Sequence, residues 1–171
     1  MNPLRIYDFL ALSRARLFDR VRPLSEEQYA RRVDLGMGTL ARTLTHVMIS
    51  EWYYIERLER RDTPPYDQWP IRDETPPPFP TLEAAWTKLA AATHESIRNV
   101  RDWDAARTYR VTDDDGRRID VTATGADIVT QLAMHEIHHR SQALIMLRLL
   151  GSPVEGDIDF NALMYTRRPV G

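Results

Sequence analysis

Apolar residues recur at intervals of three and four along four long stretches of the chain, the spacing that puts them on one face of an α-helix. The first stretch begins at Asn2-Pro3, an N-cap followed by proline at the first helical position, and carries Ile6, Phe9, Leu10, Leu12, Leu17 and Val21. The second covers about Thr39 to Arg60, with Leu40, Leu44, Val47, Ile55 and Leu58 as its stripe. The third begins at Thr81 and places Leu82, Ala85, Trp86, Leu89, Ile97 and Val100 in register. The fourth opens near Thr124, where Thr124 and Asp127 have the spacing of a capping box, and runs to Leu150 before Gly151 and Pro153 stop it.

The intervening segments have a different character. "TPPYDQWPIRDETPPPFP" is proline-rich and predicts an extended, partly rigid crossover between the second and third helices. "RTYRVTDDDGRRIDVTAT" predicts two short strands around an Asp-Gly turn before the last helix. The pattern is therefore all-α: a four-helix bundle with long crossovers and a small β-hairpin, a single domain over residues 1–171 ending in a tail from about residue 152.

Composition narrows the chemistry. With 171 residues, 43% of them hydrophobic, the chain can bury a core without disulfide or metal staples. A net charge of -2 provides no electrostatic footprint for nucleic acid or an anionic membrane. No apolar run is long enough to span a bilayer and no signal-peptide pattern opens the chain, so a cytoplasmic location is expected. Cysteine is absent, which removes thiolate ligands and a cysteine nucleophile. Lys88 is the only lysine, which disfavours Schiff-base chemistry.

The fourth helix carries the most chemical stretch, "AMHEIHHRSQ". Ile128, Leu132, His135, His139, Ala143, Met146 and Leu150 share one stripe, so two imidazoles on successive turns face the bundle. Burying both is costly unless something uses their nitrogens, and this spacing lets two helical histidines reach one divalent ion. His138 lies off the stripe, as a rim or outer residue, and His94 reads as a surface residue. Periodicity does not nominate a third ligand. His46 sits at the edge of the second helix's stripe beside Thr43, Ser50 and Tyr53, and by pattern alone it reads as exposed.

His135-Glu136-x-x-His139 also spells the zinc-peptidase motif, in which the glutamate activates water. Gln142 and Ile145 stand where one peptidase group needs glycine and a third histidine. Glu155, Asp157 and Asp159 are the acidic alternatives, but too little chain follows Leu150 to return a helix to the site. The peptidase reading is disfavoured.

Taken together, "LTHVMISEWYYIERL", the "DDDGRR" hairpin, "HEIHHRSQALIMLRLLG" and the "SPVEGDIDF" ending resemble the DinB (DNA-damage-inducible) superfamily, with its related bacterial thiol-dependent transferases. His135, His139, Arg140 and Gln142 match a last-helix signature similar to H-x-x-x-H-R-G-Q, with Ser141 in place of the glycine. The resemblance implies an up-up-down-down bundle and a metal held by His46, His135 and His139. Glu136 then becomes a neighbour of the ligands, outer-shell or solvated, without a catalytic role. Zinc or nickel is the expected ion, with an external low-molecular-weight thiol or water as nucleophile toward a small-molecule substrate, in a homodimer. Arg42, Arg57 and Tyr53 lie near the helix-two histidine; solvated surface is the simpler reading for both arginines. The rival readings are a non-catalytic metal-binding stress-response bundle and a bundle whose histidines bind nothing.

Overall fold

The computed structural model describes residues 2–112 and 115–168. Four long helices make the body: α1 (Pro3–Val21), α3 (Leu40–Leu58), α4 (Phe79–Asn99) and α5 (Gly125–Leu149). Two short helices, α2 (Glu26–Tyr29) and α6 (Phe160–Met164), lie outside it. Strands β1 (Ala106–Thr112) and β2 (Arg118–Thr124) pair antiparallel, from Ala106 opposite Thr124 to Thr112 opposite Arg118.

Local chemistry sets most boundaries. Asn2, Thr39 and Thr124 each accept a backbone N–H of the first turn, and Thr124 with Asp127 forms the expected reciprocal box. At the expected Asp-Gly turn, Asp115 and Gly116 are described, with Gly116 at φ 77°; Asp113 and Asp114 lie outside the described residues. α3 stops two residues earlier than its pattern predicts, because Arg60 turns left-handed at φ 61°. α4 starts at Phe79 rather than Thr81, since Pro80 can occupy a first-turn position that needs no backbone donor. α2 escaped the hydrophobic pattern but has its own box, Ser25 with Gln28.

The bundle stands as expected; its helix directions do not. Asp8 in α1 meets His94 late in α4, whereas Phe18 meets Phe79 at the start of α4, so these two helices run antiparallel. Glu51 accepts from Trp86 and Glu59 from Ser96, so α3 and α4 run parallel. Tyr54 contacts Gln131 while Thr43 contacts Met146, so α3 and α5 are antiparallel. The order is up-down-down-up rather than up-up-down-down. The physical reason lies in the links: residues 22–39 fold into a capped turn that returns the chain at the same end, whereas the extended proline-rich crossover travels the bundle's length.

Two apolar clusters fill the interior. One surrounds Leu17, Leu44, Trp86 and Met146; the other surrounds Leu10, Ile55, Ile97 and Leu132. Leu12, expected in the core row, is exposed. Between the clusters lies a buried ionic knot. Arg14 Nη2 sits 2.7 Å from Glu136 and 2.9 Å from Glu51, and its guanidinium lies over the Trp86 ring. Glu51 also accepts from Tyr7, Trp86 and Thr93. Burial works against the charge on Arg14, but its two carboxylates outweigh that and raise its pKa, so it stays protonated.

Candidate metal centre

His46 on α3 and His135 and His139 on α5 converge at mid-bundle, where the two helices pack side by side. One ring nitrogen from each lies within 4.8 Å of the others. The His46 and His135 Nε2 atoms are 3.1 Å apart, and the three ring centroids are separated by 4.5 to 5.0 Å. All three side chains are half-buried.

For two of the three histidines the nitrogen facing away from this cluster is occupied. His46 Nδ1 lies 2.8 Å from Asp73 Oδ2. A carboxylate only accepts, so His46 carries its proton on Nδ1 and its Nε2 lone pair points at the cluster. His139 Nδ1 lies 3.0 Å from Gln142 Oε1, which fixes the same tautomer, and the Gln142 amide nitrogen reaches His138 Nε2 at 3.1 Å. With His46 Nε2 bare, its 3.1 Å approach to His135 closes favourably only around a proton on His135 or around a cation. Two nitrogens at about 2.0–2.1 Å from one tetrahedral zinc sit roughly 3.3 Å apart. The donor set therefore fits a divalent ion without rearrangement of this pair.

Electrostatics agree with a neutral, ligating set. Burial, and then the neighbouring histidines, push His135 down to about 3, and burial likewise lowers His139. Burial pushes Asp73 up, but hydrogen bonds from Tyr66 and His46 outweigh it and hold the carboxyl below its usual range. Asp73 is 6% exposed; its other oxygen lies 2.5 Å from the Tyr66 hydroxyl, and its backbone carbonyl accepts from Arg42.

A chain-wide comparison bears on this geometry: the family model described as "DinB family" matches residues 1–167. The chain belongs to the DinB family. No curated protein matches it at a significant level. In this DinB chain the histidine cluster, the hairpin and the long last helix occur together, as the motifs implied.

Glu136 settles the competing motif. It is 3% exposed and turned into the core against Arg14, not toward the histidines. It is neither a water-activating base beside the cluster nor a solvated side chain, and the H-E-x-x-H reading loses its glutamate. The buried face of α5 is broad, taking in Ile128, Leu132, Ala143 and Met146 and, further round, Val129, Ala133, Glu136, Arg140 and Leu147, so the histidines lie on one flank of it rather than at its centre. That is why they reach a rim position open to ligands. Arg140, also buried, lies over the Phe9 ring.

The other candidates fall into place. His138 is exposed at the rim, its ring 4.8 Å from His139. His94 sits near the surface between Asp8 and Arg98. Arg57 is buried, not solvated: it lies over the Tyr53 and Tyr109 rings and donates to Thr63. Arg42 is half-buried and tied to the crossover through Asp73. Asp73 and Gly36 were not singled out by the sequence. A Cβ on Gly36 would stand 2.5 Å from Gln142 Oε1, so the loop before α3 presses on the amide that holds His139.

Proposed function

We propose that this DinB protein holds one divalent ion, zinc or nickel, through His46, His135 and His139, and acts as a metal-dependent enzyme on a small molecule. The observation that carries the reading is the convergence of three imidazoles whose outward nitrogens are engaged for two of them, by Asp73 on His46 and by Gln142 on His139. Such outer partners fix tautomer and ring orientation and raise ligand basicity.

Held by the three neutral histidines, such an ion would supply a Lewis-acidic position at which the pKa of water or a thiol is lowered. Around that position the chain's own residues do the positioning. Asp73 holds the His46 ring, Gln142 holds the His139 ring, and Tyr54 packs its ring 5.8 Å from that of His135. No cysteine is available, so a thiol nucleophile would come from an external low-molecular-weight cosubstrate, for transfer or isomerisation; with water the reaction would be hydrolysis.

Metal analysis of protein purified without a polyhistidine tag tests the site. We expect one equivalent of zinc or nickel, lost in His135→Ala and His139→Ala. Catalysis is tested by screening thiols against electrophilic substrates, wild type beside His46→Ala. Stoichiometric metal without turnover would leave the non-catalytic bundle standing; no metal would remove both readings.

A homodimer and a cytoplasmic location belong to the same proposal. The outward face of α5 supports the dimer: Met134 and Leu149 are 62% and 63% exposed, with Ile145 between them. Light scattering after size exclusion reads it directly. No helix among the described residues is long and apolar enough to cross a membrane.

A further inference from the structure

Beside the histidine cluster lies a pocket of about 340 Å³, large enough for a small organic molecule. His46 and Asp73 line it at the cluster, and Tyr53, Tyr54, Tyr66 and Trp69 supply most of the remaining wall. Tyr54 joins the two features, since it lines the pocket and packs against His135. Trp69 is the hub of the wall. Its ring centroid is 4.9 Å from Tyr66 and 5.9 Å from Tyr53, with Trp52 behind it at 4.9 Å. A wall of this composition offers π faces to a flat ligand.

Its charge is one-sided. The only charged groups lining it are two carboxylates, Asp73 and Glu74. Both reach the Tyr66 hydroxyl, at 2.5 Å each, and a phenol has one hydrogen to donate. Asp73 is otherwise satisfied by His46, whereas Glu74 is exposed and makes no ion pair among the described residues. The nearby arginines are held elsewhere: Arg57 lies over the Tyr53 and Tyr109 rings and donates to Thr63, and Arg42 donates to the Asp73 carbonyl, where its charge acts on Asp73; neither forms an ion pair with Glu74. An ammonium ion near Glu74 would meet both an unpaired carboxylate and aromatic faces, the two groups that attract organic cations.

We infer that this pocket binds a small aromatic molecule bearing a positively charged amine, its ring against Trp69 and its ammonium toward Glu74. This names the substrate class for the reading above and rests on that reading only for the molecule's fate; the binding itself needs no ion. Anionic aromatics of the same size are discriminated against.

The test uses full-length protein stripped of metal, so that no ion can capture an anion. Benzylammonium, benzyl alcohol and benzoate are titrated by tryptophan fluorescence and proton NMR. We expect benzylammonium to bind more tightly than benzoate by about fivefold or more, with benzyl alcohol between them. Glu74→Gln should abolish the preference for the cation over the alcohol while still binding the alcohol. Trp69→Ala should weaken all three by about tenfold. Because Glu74 is exposed, its variant tests the charge argument even if Trp69→Ala fails to fold. Benzoate binding as tightly as benzylammonium, or an unchanged order in Glu74→Gln, overturns the inference. Metal content, measured separately, keeps the two readings apart: a protein that takes no metal yet ranks the probes as expected sinks only the metal reading. One that takes metal yet prefers benzoate sinks this inference.

Discussion

Asp73 shows how one side chain in a loop orients a histidine on a helix. Its carboxylate sets the His46 tautomer from outside the cluster. Removing such a partner typically costs 10–100-fold in metal affinity. Asp73→Ala should therefore lose zinc about 10–100-fold more readily in chelator competition while its circular dichroism stays native. Arg14 plays the corresponding part in the core. Arg14→Met would strand Glu51 without a counter-charge and leave Glu136 only the charge of Arg140, a change worth about 3–5 kcal/mol, read from urea unfolding. His135 leads to a pH dependence. Its folded pKa of about 3 lies below the ordinary histidine value, so between about 3 and 6.5 the unfolded chain binds a proton that the metal-free fold refuses. Stability of the metal-free protein should rise with pH across that window, more steeply than in His135→Gln; equal slopes by urea titration would contradict the assignment.

At the scale of elements, the helices that pack by simple amphipathicity were legible and the polar interior was not. The rows of α1, α3 and α4 could be read because buried residues there are mostly apolar at helical spacing. α5 is different. Ile128, Leu132, Ala143 and Met146 are buried as their spacing predicts, but the same buried face also contains Glu136 and Arg140. Charged residues look solvated to a pattern argument, and only their packing partners, Arg14 and Phe9 on another helix, make them interior. His135 and His139 were visible from i,i+4 spacing; His46 required family resemblance. Asp73 left no signal at all, since an irregular crossover has no period against which one aspartate stands out. Helix termini were readable to within two residues where caps operate. At the end of α3, Arg60 adopts the left-handed conformation that suits glycine. Arg60→Gly should raise stability by about 0.5–1 kcal/mol, seen as a higher urea midpoint at unchanged slope.

For the whole molecule, a ligand site spanning α3 and α5 couples occupancy to the stability of the bundle. Zinc or nickel at about 100 times its Kd should add about 2.7 kcal/mol. In a chain of this size that is a rise in Tm of roughly 5–10 °C by calorimetry, reversed by chelator and absent in His139→Ala. The crossover over residues 59–78 has a further consequence. The same strap supplies Asp73 to His46 and Trp69 and Tyr66 to the pocket wall, within a few residues of one another. On the readings proposed above, adaptation to a new guest and retention of the ion would be heritable through one short stretch. Exchanging that strap between relatives should transplant selectivity as a unit, with the four-helix chassis left untouched.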